Sequence, residues 1–153
     1  MEIREPERLT RVAGEADVIV VGSGPGGLSA AIAAARAGVS VILIERFGCF
    51  GGNITSVGVE GFAWYRHEKT IEAGGLAFEY EQRAIESNAA VPESQSKSYE
   101  LDSEGFKVVA DNLVLKAGVR PMLHRAFCSP ILEGNEIIGV ITESKAGREA
   151  IMG

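Results

Sequence analysis

The stretch DVIVVGSGPGGLSAAIAAARAGVSVILIER, residues 17–46, decides the fold of this chain. It opens with a short apolar run, Asp17–Val21, of the kind that lies buried in a parallel sheet. The Ala-rich segment Gly26–Ala37 favours a helix, and Gly38 suits the left-handed residue that ends one. A second apolar run, Val39–Ile44, follows at once. The pattern therefore predicts a right-handed strand–helix–strand unit.

The turn between the first strand and the helix carries glycines in the spacing G-x-G-x-x-G. Gly22 allows a tight turn, Gly24 lets the backbone approach a pyrophosphate, and Gly27 lets the helix pack closely on the strand. Backbone N–H groups and the positive end of the helix dipole hold an anion here without any charged side chain. Glu45 ends the second strand, where its carboxylate can accept hydrogen bonds from both ribose hydroxyls and repel a 2′-phosphate. The turn is predicted to bind the ADP half of a dinucleotide.

Composition places the chain among globular proteins of about one domain, with 153 residues, 46% hydrophobic and 24% charged. A net charge of −6 argues against nucleic acid or an anionic membrane as the partner. Residues 1–16 read as a polar lead-in without the apolar core of a signal peptide. Two cysteines, Cys49 and Cys128, give no disulfide framework. A cytoplasmic location and a small-molecule substrate are therefore the expectations.

The rest of the chain alternates elements and turns. An irregular Gly-rich segment is expected at 46–68, followed by a helix at Thr70–Asn88, a polar loop at Ala89–Ser98 and a helix from Asp102 to Ala117. A strand is then expected in VRPMLH at 119–124, and after it an antiparallel meander with turns at Gly134–Asn135 and Lys145–Gly147. The acidic residues Glu79, Glu81 and Glu86 are typical of a solvated helix face.

Four segments carry a resemblance to a known family. They are ERFGCFGGNITSVGVEGF (45–62), EAGGLAFEYEQRA (72–84), ELDSEGFKVVADNLVLKAGVRPMLH (100–124) and IIGVITESKAGREAI (137–151). With the Gly-rich turn, they resemble the FAD-dependent oxidoreductases of the glutathione-reductase-like fold, near the fumarate reductase and thiazole synthase flavoproteins. The resemblance implies an α/β, Rossmann-like FAD/NAD(P)-binding domain over residues 17–153, with a parallel sheet and an antiparallel β-meander. The pair Gly51–Gly52 favours FAD over NAD as the cofactor.

The resemblance also implies a set of cofactor-binding residues. Gly22, Ser23, Gly24, Pro25, Gly26 and Gly27 would line the pyrophosphate; Glu45 and Arg46 would meet the adenosine ribose; Gly51, Gly52, Asn53, Ile54 and Thr55 would run beside the pyrophosphate toward the isoalloxazine; and Phe127 would offer its backbone to the adenine edge. The family usually has a small aliphatic residue where this chain has Phe127, so a core position for that side chain is an equal alternative.

The activity implied is hydride transfer between FAD and an organic substrate that the sequence does not identify. No catalytic acid or base is assigned; His67 is the one local acid–base candidate, and an exposed loop histidine is the commoner reading. Cys49 has no second cysteine near it, so it is expected to pack rather than react, and no residue group has the spacing of a metal site. The alternatives are a nicotinamide-binding dehydrogenase domain and a non-catalytic FAD-binding subunit that needs a partner chain.

Family members continue beyond the meander into a further parallel strand with an Ala-Thr-Gly segment and then a substrate domain. This sequence stops at REAIMG and contains no such segment. The expectation is an N-terminal portion of a larger flavoprotein, incomplete at its C-terminus and inactive alone. An exposed strand edge would then pair with the missing part, with a second polypeptide or with another copy.

Overall fold

The computed structural model describes residues 1–4, 6–62, 65–67, 70–71, 73–94 and 97–153. In chain order, the elements are β1 (Arg11–Glu15), β2 (Val18–Val21), α1 (Pro25–Arg36), β3 (Val41–Ile44), a π-helical turn (Asn53–Val57), β4 (Arg66–His67), β5 (Thr70–Ile71), α2 (Gly75–Glu86), β6 (Ala90–Pro92), β7 (Tyr99–Leu101), α3 (Ser103–Ala117), β8 (Arg120–Met122), β9 (Ala126–Glu133), β10 (Glu136–Ser144) and β11 (Gly147–Met152). Among these residues, no helix has both the length and the apolar character needed to cross a membrane.

A three-stranded parallel sheet in the order β2-β3-β8 forms the centre of the domain. All four residues of β3 are buried, as expected for a strand covered on both faces. Helix α1 follows β2 and ends before Gly38, whose φ of +95° lies in the left-handed region. The predicted strand–helix–strand unit is therefore confirmed.

Three helices cover one face of this sheet, and their apolar side chains form the larger core with β3. Leu28 and Ile32 of α1 meet Tyr80 of α2 and Phe106 of α3, all nearly inaccessible to water. The Tyr80 and Phe106 rings pack edge to face with their centroids 6.1 Å apart. As predicted, the Asp102 side chain caps α3 by accepting a hydrogen bond from the Glu104 N–H at 3.0 Å.

Helix α2 differs from the prediction at its start and in its burial. It begins at Gly75 rather than Thr70, because Thr70–Ile71 pairs with Arg66–His67 as a short antiparallel hairpin. The expected solvated acidic face is wrong for Glu81, which is fully buried among the helices. Glu79 is half-buried and forms an ion pair with Arg36 of α1 at 2.6 Å. The Glu79 carboxylate therefore joins α2 to α1.

A second sheet, in the order β1-β11-β10-β9, packs on the other face of the parallel sheet. Its last three strands are the predicted meander, which is confirmed. The assignment of residues 1–16 as a lead-in is wrong for Arg11–Glu15, because this segment pairs in parallel with β11. Gly14 lies against the parallel sheet, where a Cβ would come within 3.2 Å of the end of the Met122 side chain and 3.3 Å of that of Ile42. The loop expected at Ala89–Ser98 likewise contains a strand, Ala90–Pro92, paired with β7.

Candidate functional site: a cleft at the carboxyl ends of the parallel strands

A cleft opens where β2 and β3 end, the position at which parallel α/β sheets bind their ligands. Its lining residues are Val21, Gly22, Ser23, Gly24, Ile44, Glu45, Arg46, Phe47, Gly52, Arg125 and Phe127. Seven of them were named from the sequence as cofactor-binding, although they come from three separate segments of the chain. The structure therefore brings the Gly-rich turn, the end of β3 and the first strand of the meander to one place.

The N-terminus of α1 faces this cleft with its backbone donors free of side-chain caps. Gly24 is the N-cap residue, Pro25 opens the helix, and the first turn contains no acidic residue. The N–H groups of Gly26 and Gly27 lie in this turn, where a helix has no intrahelical acceptors to offer them. A Cβ on Gly24 would meet no protein atom within 4 Å, so the space over the turn is open. Such a terminus suits an anion such as a pyrophosphate.

Other glycines allow the backbone segments around the cleft to touch. A Cβ on Gly27 would lie 2.0 Å from the carbonyl oxygen of Gly22, so only glycine lets α1 start this close to the end of β2. A Cβ on Gly52 would lie 2.6 Å from Cα of Gly24. The Gly51 N–H donates to the Ser23 carbonyl at 2.9 Å, which holds the second Gly-rich segment against the first.

Glu45 is the one buried acidic side chain of the cleft, with 5% of its surface exposed. Its Oε2 accepts from the Ser23 N–H at 2.8 Å and the Ser23 hydroxyl at 2.6 Å, and its Oε1 accepts from the Phe47 N–H at 2.9 Å. Burial raises the pKa of the Glu45 carboxyl, but these hydrogen bonds outweigh it and hold the pKa below its ordinary value. The group is therefore an anion at neutral pH, suited to accept from ribose hydroxyls.

The segment after Gly52 turns into the protein. The Ile54 side chain joins the core, and the Thr55 hydroxyl donates to the Phe50 carbonyl at 2.6 Å. Their side chains therefore fix the loop from behind, and only backbone atoms of these two residues remain to face a cofactor. Asn53 is exposed at the start of the π-helical turn.

Four residues of the cleft lining were not named as cofactor-binding from the sequence: Val21 and Ile44, which end β2 and β3, and Phe47 and Arg125, which lie beyond β3 and β8. The Arg46 guanidinium stacks on the Phe47 ring, 4.6 Å from its centroid. Arg125 pairs with Glu149 of β11 and donates its backbone N–H to the Glu45 carbonyl at 2.9 Å. The sequence does contain a signal for Phe47 and Arg125, because both residues follow shortly after a parallel strand, β3 or β8. Ligands bind outside the carboxyl ends of such strands.

The two cysteines lie outside the cleft lining. Cys49 and Cys128 are free thiols, and the Cys49 sulfur lies 3.8 Å from the hydroxyls of Thr55 and Ser56. His67 belongs to β4, and its side chain is outside the described part of the chain. Within the described residues, no three or more His, Cys, Asp or Glu side chains are arranged to hold a metal ion.

Comparisons with known proteins agree with this geometry. A dihydrolipoyl dehydrogenase from Chlorobaculum tepidum is 31% identical over 129 residues, which is 76% of this chain and 28% of that protein. A thiamine thiazole synthase from Saccharolobus islandicus is 33% identical over 106 residues, covering 69% of this chain and 36% of that protein. The chain thus spans about a third of the length of these curated relatives.

The fold is also found among solved structures. The crystal structure of Thermovibrio ammonificans THI4 superposes with a TM-score of 0.66 at 17% identity, over 90% of this chain and 53% of that one. The sequence model of the family described as FAD dependent oxidoreductase matches residues 17–153, which include both sheets apart from β1. The cleft, the glycines that shape it and this match together make the chain a member of the FAD-dependent oxidoreductase family.

Proposed function

We propose that this chain is the FAD-binding portion of an oxidoreductase and that the cleft holds the ADP half of the cofactor. The observation that carries the proposal is the cleft itself, with the open space over Gly24 at one end and the buried anion of Glu45 at the other. A dinucleotide needs these two features together, a site for its pyrophosphate and an acceptor for its ribose. Bound FAD would supply the two-electron redox chemistry, which no side chain of the cleft can supply.

Different residues of the cleft would bind different parts of the ADP half of the cofactor. The N–H groups of Gly26 and Gly27 would donate to the pyrophosphate, and the missing side chain at Gly24 would let the phosphates come close. Glu45 would accept from the ribose and exclude a 2′-phosphate by repulsion. Phe127 is 47% exposed at the cleft, so its ring as well as its backbone would border the adenine.

Removing the Glu45 carboxylate should weaken FAD binding. Glu45→Ala is expected to lose about 1–3 kcal/mol of binding free energy, because a charge-assisted hydrogen bond in a buried site disappears. Titration calorimetry with FAD measures the loss, and Glu133→Ala on exposed β9 controls for the change of net charge. In the unchanged chain, oxidised-flavin absorption near ~450 and ~370 nm should follow the protein through gel filtration. Unaltered FAD affinity in Glu45→Ala, or NAD bound in preference to FAD, would contradict the proposal.

The proposed FAD site is also the basis on which we propose the activity of the whole protein. Hydride exchange between FAD and a small organic substrate would take place in a protein of which this chain forms part. Two cysteines that are both free thiols favour a cytoplasmic location, where disulfides are rare.

We also propose that a further strand pairs with the open edge of β2. Within the described residues, β2 pairs with β3 alone, and the Val18 N–H and Gly22 N–H both donate toward β3, to Ser40 and Ile44. The alternate amides, those of Ile19 and Val21, therefore point to the other side. A groove between this edge and β10 is lined by Val18, Ile19, Ile137 and Val140 with Asp17, Gly139 and Gly153. An extended segment, from additional chain or from a second polypeptide, fits both the donors and the groove.

An open strand edge should make the chain self-associate. Sedimentation velocity over a range of concentrations is expected to show a growing dimer. Ile19→Pro removes one outward N–H without touching the bonds to β3, so it should reduce association, and urea unfolding measures the stability lost with the Ile19 side chain, which packs against the second core. A chain that remains monomeric throughout the range would contradict the proposal.

A further inference from the structure

The Ser23 side chain occupies part of the acceptor on which the proposed ribose contact depends. Both the N–H and the hydroxyl of Ser23 donate to the same oxygen of Glu45, Oε2, at 2.8 and 2.6 Å. The Phe47 N–H donates to the other oxygen. Ser23 is fully buried and Glu45 nearly so, so water does not compete for these bonds.

The Glu45 carboxylate does not have enough free acceptor positions for both hydroxyls of a ribose. A carboxylate offers about four lone-pair positions, two on each oxygen. Ser23 uses both positions of Oε2, and Phe47 uses one of Oε1. At most one position is left, because the Arg46 N–H also approaches the carboxylate, whereas the 2′- and 3′-hydroxyls of a ribose together need two. A bidentate contact therefore requires at least one of the present donors to leave.

The Ser23 hydroxyl is the donor that can leave. The Ser23 and Phe47 N–H groups belong to the backbone, and the Ser23 backbone is held further by the hydrogen bond from Gly51 to its carbonyl at 2.9 Å. The hydroxyl moves by rotation about one side-chain bond, among its staggered positions. Ser23 also lines the cleft, so the released hydroxyl would face the bound nucleotide.

We propose that Ser23 is a specificity-determining residue whose hydroxyl holds Glu45 and is displaced by one ribose hydroxyl on binding. The inference rests on the proposed function, since it concerns the same ADP site. With Ser23 present, the displacing ribose hydroxyl replaces a bond that already exists, so it adds little to the affinity. Without the Ser23 hydroxyl, the same ribose group gains a vacant acceptor position. Ser23 thereby lowers the preference of the site for ribose over deoxyribose.

A comparison of ligands across variants tests this. Binding of ADP, 2′-deoxy-ADP and 3′-deoxy-ADP is measured by calorimetry at about pH 8, where a carboxyl is ionised. In Ser23→Ala, the loss of affinity caused by removing one of the two ribose hydroxyls should be about fivefold larger than in the unchanged chain. Ser23→Gly also lacks the hydroxyl and should give the same increase, so the test does not depend on one variant folding well.

The chain supplies a matched control at the opposite end of the same strands. Ser40 donates its N–H and its hydroxyl to one oxygen of Asp17, at 2.7 and 2.6 Å, in the arrangement that Ser23 has with Glu45. Ser40→Ala should leave all three affinities unchanged. Equal deoxy penalties in the unchanged chain and both Ser23 variants, with ADP bound throughout, would overturn this inference and leave the proposed function standing. Failure of the unchanged chain to bind ADP or FAD would overturn both.

Discussion

Gly24→Val is expected to abolish FAD binding while leaving the domain folded. The Cβ of residue 24 points into open space over the turn, with no protein atom within 4 Å, so the new side chain has nothing to displace in the protein. It would stand where the backbone must approach the pyrophosphate. Calorimetry and flavin absorption measure the binding, and circular dichroism and urea unfolding measure the fold.

Gly74→Val provides the control for Gly24→Val. Gly74 is the N-cap of α2, and a Cβ there also meets no atom within 4 Å, so the change inserts the same side chain at the same helix position. FAD binding should survive it. If Gly24→Val kept FAD at full occupancy, the turn would be structural only, and the cleft would lose its proposed ligand.

Gly27→Ala is expected to destabilise the whole domain, because its Cβ would lie 2.0 Å from the carbonyl oxygen of Gly22. The obstructing atom belongs to the backbone at the end of β2, so the clash is relieved only by moving α1 away from the sheet. Overpacking of this kind costs about 3 kcal/mol. Urea unfolding followed by circular dichroism measures the loss.

Gly26→Ala makes the same chemical change one residue earlier. A Cβ on residue 26 meets no protein atom within 4 Å. The residue lies in the first turn of α1, where alanine stabilises the helix more than glycine does. Its stability should equal or slightly exceed that of the unchanged chain. If both variants were equally stable, the close approach of α1 to β2 would not constrain residue 27.

The central unit could be predicted from the sequence because its signals are local. Asp17–Ile44 holds two apolar runs, an Ala-rich helix and glycines at the turns, and each of these acts on its own neighbours in the chain. The structure adds only small shifts of the ends, such as β3 starting at Val41 rather than Val39. The meander was also predictable, since its turns at Gly134–Asn135 and Lys145–Gly147 carry turn residues between apolar runs.

Elements that depend on distant partners could not be predicted. The segment RVAGE of β1 has no apolar alternation, and its pairing with β11 shifts register between Val12 and Gly14. Its strand conformation comes from hydrogen bonds to residues 149–152, which lie far along the chain. Glu81 is similar, because its burial follows from how α2 packs and not from the charge pattern of α2 itself.

The residues of the candidate site likewise fall into those that the sequence predicts and those that it does not. The glycines and Glu45 were found because a fixed spacing ties them to the strand–helix–strand unit. Phe47 and Arg125 were missed because their place in the cleft depends on how β8 and β9 pack beside β3, and no motif marks them. Ile54 and Thr55 were named from the resemblance, and packing turns their side chains into the core.

The parallel pairing of β1 with β11 has a consequence for how the polypeptide folds as it leaves the ribosome. Residues 11–15 leave the ribosome long before their partners at 149–152. The β2–α1–β3 unit has short-range contacts and can assemble early, whereas β1 must wait unpaired until β11 has been synthesised. Closing so long a loop carries a large entropic cost before any strand bond forms. The β1–β11 pairing is therefore expected to form last, after the β2–α1–β3 unit with its Gly-rich turn has folded.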